Sequence, residues 1–196
     1  MADMFSTRAK SWDSYRRVSM AFALVDKIKE QNLIDKHTDV MEIGCGTGLV
    51  GLEFANAAHH ITMVDTSEGM LQELRKKMEN KCCENISIVH GDISQVHTMA
   101  SIIIVFMTLH HIEDIEQFVA EVKNRLIDGG KVIIGDLYTE DGSFHPNFKV
   151  PHNGFSEEEL TSVFQRKGFK DTTIEPLTTI EREDRKYKLF ILTSTK

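Results

Sequence analysis

The chain has little with which to cross-link itself and no long apolar run. It holds 3 cysteines, an odd number, and two of them, Cys82 and Cys83, are neighbours. Adjacent cysteines do not normally bridge and no metal-type spacing is present, so reduced thiols are expected. No run approaches 18 apolar residues, and the first ten residues lack the apolar stretch of a secretory signal. No membrane insertion and a cytoplasmic location follow as expectations. Positive charge is in deficit, with 23 basic against 30 acidic residues and a net charge of -7. Such a surface repels phosphate backbones. The only short basic runs are 75–77 and 182–186, the second interrupted by Glu183 and Asp184, so no nucleic-acid partner is expected. Proline is scarce, with 3 residues all in the C-terminal third, and no linker, repeat or low-complexity tract divides the chain. A single domain of 196 residues is expected, and its 41% hydrophobic content suffices for a core.

Short apolar runs bounded by turn residues alternate with segments of helical periodicity. The runs at 39–43, 60–64, 85–90, 102–106 and 131–135 read as strands. Residues 102–106 are the most hydrophobic and read as a central strand buried on both faces. Helices are expected over 14–31, with Val18, Phe22, Val25 and Ile28 as the apolar stripe, over 49–58, after the N-cap Ser67, and over 114–126, ending at Gly129-Gly130. Ser156 with Glu159 forms a capping-box pattern before a last helix. Two late strands, 169–175 and 188–193, are joined by a short link and are expected to pair antiparallel. The order predicts an α/β fold: a doubly wound, mostly parallel, seven-stranded Rossmann-like sheet with an antiparallel C-terminal strand.

The most informative segment is Glu42-Ile43-Gly44-Cys45-Gly46-Thr47-Gly48, where three glycines alternate at the exit of the first strand. Glycine lets the backbone approach a ligand closely. Residues 46–51 formally fit the dinucleotide pattern GxGxxG, a weak signal by itself. That match starts two residues late, since Gly44 is the first glycine after the strand and the sixth position counted from it is Leu49. None of Tyr15, Tyr138 and Tyr187 has a lysine four residues on, which disfavours a short-chain nicotinamide oxidoreductase.

The segment closely resembles the first motif of class I S-adenosylmethionine-dependent methyltransferases, and the resemblance continues in order. Val64-Asp65 resembles the acidic end of that family's second strand, Gly91-Asp92-Ile93 its adenine-binding segment, residues 102–106 its fourth strand, and residues 126–136 the turn into its fifth. Residues 5–13, with Ala9 and Trp12-Asp13, further resemble small-molecule members akin to quinone-biosynthesis methyltransferases. The resemblance implies S-adenosylmethionine as cofactor, S-adenosylhomocysteine as product and a small-molecule methyl acceptor, in a monomer or homodimer. A methyltransferase acting on a macromolecule, or a non-catalytic binder of the cofactor, is the alternative.

It also implies roles for single residues. Asp65 accepts from both ribose hydroxyls, Asp92 from the adenine amino group, and the Ile93 N–H faces a ring nitrogen. Glu42 holds the methionine end through its ammonium. Gly44, Cys45, Gly46, Gly48, Thr66, Gly91 and Phe106 complete the cofactor site. Met70 either covers the adenine or fills the core; equally, Asp65 reads as a cap and Asp92 as a turn residue. Candidates on the acceptor side follow the fourth and fifth strands: His110, His111, Asp136, Tyr138, His145 and His152, with His110, His111 and Asp136 the catalytic set and a histidine able to act as base. The Asn/Asp-Pro-Pro-aromatic motif of amide and adenine methylation is absent, since 107–110 reads Met-Thr-Leu-His. Four histidines and Asp136 near one rim permit a metal site, but the spacings match no standard ligand pattern, and no metal is expected. Residues 1–37 are expected to form a helical lid bearing Trp12 and Tyr15, residues 38–136 the cofactor-binding half, and residues 137–196 an acceptor loop and the last strands. In that loop, Phe144, Phe148 and Phe155 line a pocket or form a satellite core.

Overall fold

The computed structural model describes residues 4–79, 83–182 and 184–196. Residues 1–3 of the expected lid, the thiol of Cys82 and the interrupting Glu183 lie outside these. Seven strands follow the apolar runs: β1 (Asp39–Ile43), β2 (His60–Asp65), β3 (Ile86–His90), β4 (Ala100–Phe106), β5 (Leu126–Leu137), β6 (Lys170–Arg182) and β7 (Arg185–Thr195). They form one sheet in the order β3-β2-β1-β4-β5-β7-β6. Neighbours from β3 to β5 are parallel, and β7 runs antiparallel to both β5 and β6. The predicted sheet, including its antiparallel strand, is the observed one. The order reverses between β1 and β4, which opens a crevice beyond their carboxyl ends.

The described residues form five α-helices: α1 (Met4–Arg8), α2 (Tyr15–Glu30), α3 (Glu68–Glu79), α4 (Ile115–Arg125) and α5 (Glu157–Arg166). Helices α2 and α3 bury Leu24, Val25, Ile28, Leu71 and Leu74 against one face. Helices α4 and α5 bury Val119, Val122, Leu160 and Phe164 against the other. Ile103, Ile104 and Val105 of β4 have no exposed surface, as a central strand requires. Ser156 caps α5 through the predicted box with Glu159. No helix among the described residues is long and apolar enough to cross a membrane.

Four expectations need correction. Residues 49–58 form no α-helix, only a 3-10 turn at Gly51–Phe54, because the N–H groups of Glu53, Ala55 and Ala57 bond carbonyls three residues back rather than four; the Gly51 N–H donates to the Glu42 carboxyl at 2.9 Å. The buried stripe of α2 is Ala21, Leu24, Val25 and Ile28, and Phe22 is 41% exposed. Helix α4 stops at Arg125, before Gly129-Gly130, and β5 starts at Leu126 with a bulge opposite residues 100–102. The last two strands run longer than expected, because their outer halves alternate in burial and carry no continuous apolar signal.

Phe164 is fully buried, with its ring 5.0 Å from that of Phe169. Phe164→Ala is expected to lower unfolding free energy by about 3–5 kcal/mol, read as a lower urea midpoint at unchanged slope.

Candidate active site

The glycine segment leaves β1 as a tight bend fastened to β2. The N–H groups of Gly44 and Cys45 both donate to the Val64 carbonyl, at 2.8 and 3.0 Å. The Gly46 N–H donates to Asp65 Oδ2 at 2.7 Å, and Asp65 Oδ1 accepts from the Ser67 N–H at 2.8 Å. Gly44 has φ +71°, and a Cβ there would sit 2.2 Å from Thr108 Oγ1. Both the bend and the close approach of the β4 exit therefore require glycine.

Above this bend lies a cavity of about 890 Å³. Its wall includes Glu42, Gly44, Cys45, Gly46, Asp65, Thr66, Met70, Gly91, Asp92, Ile93 and Phe106 from the cofactor set, and His110 and His111 from the catalytic set. Two predicted residues are elsewhere. Gly48 packs into the core, where a Cβ would meet Leu74 Cδ1 at 2.6 Å. Asp136 is fully buried behind His110 rather than on the wall. Asp65 and Asp92 both line the cavity; Asp92 also caps the 3-10 turn at Ile93–Gln95, accepting from the Ser94 N–H at 2.8 Å. Met70 is 2% exposed and on the wall.

The acceptor candidates divide. Asp136 Oδ1 lies 2.7 Å from His110 Nδ1 and also accepts from the Leu137 N–H at 2.7 Å. An acceptor-only carboxylate in that place fixes His110 as the Nδ1–H tautomer and turns its Nε2 lone pair toward His145 Nε2, 3.0 Å away. The His111 ring centroid lies 4.1 Å from that of His110 and 5.3 Å from that of His145. His145 reaches this cluster because the loop after β5 is tied down. The Arg182 guanidinium donates to the Phe144 carbonyl at 2.7 Å, and the Ser143 and Tyr187 hydroxyls meet at 2.8 Å. Tyr138 and His152 do not line the cavity: the Tyr138 hydroxyl donates to Glu157, and His152 Nε2 lies 3.3 Å from the Glu113 carbonyl. Phe144 and Phe148 are on the wall, whereas Phe155 belongs to the core.

The N-terminal piece crosses the same cavity. The Phe5 ring meets Trp12 and His111 edge-on at 5.8 and 5.3 Å. Thr47 donates to Asp13 at 2.5 Å, and Ser6 Oγ accepts from the Gly69 N–H at 3.0 Å, so the piece is pinned to the glycine bend and to α3. Tyr15, expected in the lid, is 90% exposed. Sequence reading missed Arg8, Arg17 and Arg182 as wall residues. They sit far apart in the chain, and no motif marks them.

Glu42, Asp65 and Asp92 come from the ends of β1, β2 and β3, and Asp114 and Glu121 from the start and body of α4, while imidazoles follow β4 and β5 and arginines come from the N-terminal piece and β6. Burial, aided by Asp65, raises the Glu42 carboxyl from 4.5 to about 8. Burial also pushes the Cys45 thiol up, which suits a filler rather than a nucleophile. His111 and His145 are lowered to about 3 and about 4, first by burial and then by their imidazole neighbours, so both are neutral at pH 7. Burial and repulsion from Arg8, Arg16 and Arg182 lower the Arg17 guanidinium.

Glu42 makes a stability prediction. Its folded pKa lies above its unfolded one, so the folded chain keeps a proton that the unfolded chain loses, and stability falls as pH rises from 4.5 toward 8. Glu42→Gln removes that loss. Relative to the wild type, the variant should gain about 3 kcal/mol between pH 5 and pH 8 in urea titrations.

Comparisons with known proteins agree with this geometry. A family described as "Methyltransferase domain" matches residues 40–130. A malonyl-[acyl-carrier protein] O-methyltransferase of Bacillus anthracis is 25% identical over 169 residues, covering 83% of this chain and 62% of that protein. A demethylmenaquinone methyltransferase of Listeria welshimeri is 24% identical over 139 residues, covering 66% of this chain and 58% of that one. The chain thus spans about 60% of the length of these curated relatives. The fold is shared by a chain from the complex of the Haloferax volcanii Trm112 methyltransferase activator with a methyltransferase: TM-score 0.83 at 12% identity, covering 100% of this chain and 98% of that one. The ordered motifs, the sheet order and the domain matched over residues 40–130 agree in their likeness to the class I S-adenosylmethionine-dependent methyltransferases.

Proposed function

We propose that the protein transfers the methyl group of S-adenosylmethionine to a small-molecule acceptor, releasing S-adenosylhomocysteine. The observation that carries this reading is the cavity at the β1/β4 reversal, which brings the acids at the ends of β1, β2 and β3 together with the imidazoles and aromatic rings that follow β4 and β5. The sulfonium cofactor takes the acidic side. Asp65 accepts from the ribose hydroxyls and Asp92 from the adenine amino group. The Ile93 N–H faces a ring nitrogen, and Glu42 holds the ammonium of the methionine end. The backbone of Gly44, Cys45 and Gly46 forms the floor, Thr66, Met70, Gly91 and Phe106 form the walls, and Gly48 keeps the bend packed.

The acceptor takes the other side. The reaction needs its nucleophile in line with the S–CH3 bond at about 3–3.5 Å, with water kept out. Asp136 orients His110, whose Nε2 faces His145, and His110 and His111 present their imidazoles to the acceptor. The N-terminal piece and the 138–155 loop close over the pair and select the acceptor by the rings they present. The acidic net charge, and relatives named for malonyl-[acyl-carrier protein] and demethylmenaquinone, support an acceptor other than nucleic acid.

Two calorimetric outcomes are expected. Asp65→Ala should weaken S-adenosylmethionine binding about 10- to 100-fold, the worth of charged hydrogen bonds; a wild-type protein that binds no cofactor would contradict the reading. At pH 7, binding should release up to one proton as the ammonium draws Glu42 into its ionised form. That release is measured by comparing heats in two buffers of different ionisation enthalpy, and it should vanish in Glu42→Gln.

A further inference from the structure

Three imidazoles converge where the proposed acceptor would sit. The ligand nitrogens of His110, His111 and His145 all lie within 4.8 Å of one another. They come from two separate segments, the 3-10 turn after β4 and the loop after β5, so the triad exists only in the fold. We propose that His110, His111 and His145 form a three-histidine site for a divalent first-row transition ion of the zinc or iron class, with its open positions facing the cavity. The part the ion plays in the reaction rests on the methyl-transfer reading; the site itself rests on geometry.

Four observations carry it. First, the Nε2 atoms of His110 and His145 are 3.0 Å apart. Two nitrogens each bound at about 2.1 Å with about 90° between them have this separation. Second, His110 gives its other nitrogen to a buried carboxylate, Asp136 Oδ1 at 2.7 Å, the arrangement that orients metal-bound histidines and raises their basicity. Third, hydrogen bonding uses the cluster poorly. Without a metal, one bond from the His145 N–H to His110 Nε2 spans the gap, and the His111 ring makes no hydrogen bond among the described residues. Fourth, all three rings line the cavity, so a bound ion keeps positions for a ligand from that side. Phe5, Phe144 and Phe148 collar the cluster, with Phe148 stacked on His111 at 6.2 Å and Phe144 edge-on to His145 at 4.8 Å. Sequence spacing hid the site, because ligand patterns describe local motifs and here 33 residues of chain separate His111 from the third ligand at His145.

The site specifies the chemistry of its acceptor. Three neutral imidazoles take no charge from a bound ion, the Asp136 carboxylate behind His110 offsets one of its two charges, and Arg182, anchored on the Phe144 carbonyl beside His145, adds a positive charge to the same wall. The ligand that completes the shell is therefore anionic: a thiolate, a phenolate or enolate, or a carboxylate. A metal-bound hydroxyl or thiol loses its proton to solvent below its ordinary pKa. Its lone pair then forms the new bond to the methyl carbon. The carbon–sulfur bond of the sulfonium breaks, and its electron pair stays on the cofactor sulfur.

The test uses Co2+ as the probe on chelator-treated, dialysed protein. One equivalent per chain should bind and give a visible absorption band. His145→Ala and His111→Ala should each weaken binding at least tenfold and abolish the band, while the exposed His37→Ala should leave both unchanged. Calorimetry with S-adenosylhomocysteine on the same samples shows that each variant is folded and keeps the cofactor reading separate. No stoichiometric Co2+ binding by the wild type, or binding that survives both substitutions, overturns the site. Failure of the cofactor titration alone leaves the site standing and overturns only its role in methyl transfer.

Discussion

The site depends on one bend. Two successive N–H groups, those of Gly44 and Cys45, converge on the Val64 carbonyl, and the next one donates to Asp65. These bonds turn the chain back on itself at the end of β1 and fasten it to the end of β2. Because Gly44 has no side chain, the β4 exit at Thr108 closes against the bend. The ends of the three strands are thereby held together around a hollow, and the strand order reverses beside it. A side chain at Gly44 would force these strand ends apart.

The same bend sets the electrostatics. It gathers Glu42, Asp65 and Asp92, from the ends of β1, β2 and β3, around the hollow, and removes Glu42 from water. Burial makes the Glu42 charge costly, and Glu42 accordingly holds its proton at pH 7. A cationic ligand relieves that cost, so the acidic side favours a sulfonium carrying an ammonium over a neutral molecule. On the other side, burial keeps His111 and His145 neutral, with their lone pairs available. Asp136 is the one carboxylate bonded to this cluster among the described residues, and it is committed to His110. Opposite demands on charge are met within one cavity because the two sides are built from different halves of the sheet.

Legibility in the sequence followed the range of the interaction. Strands β1 to β4, the capping box of α5 and the antiparallel end of the sheet were readable because apolar runs and caps are local. The helix expected over 49–58 was not, because the same apolar residues serve the tighter 3-10 turn that forms there, with bonds three residues back rather than four. The glycine bend and the acids after β2 and β3 were legible as an ordered set. Gly48 and Asp136 kept their importance but changed place, one to the packing beneath the bend and the other to a buried seat behind His110. The convergence of His145 on His110 could not be read, since it depends on the 138–155 loop being anchored to the last hairpin through Arg182 and Tyr187.

The most direct test is a crystal structure of the protein soaked with S-adenosylhomocysteine. The account predicts the nucleoside in the hollow above Gly44 and Gly46, with the ribose hydroxyls on Asp65, the adenine beside Asp92, and the sulfur turned toward His110. A nucleoside bound elsewhere, or one in the hollow that leaves both acids without a contact, would contradict it.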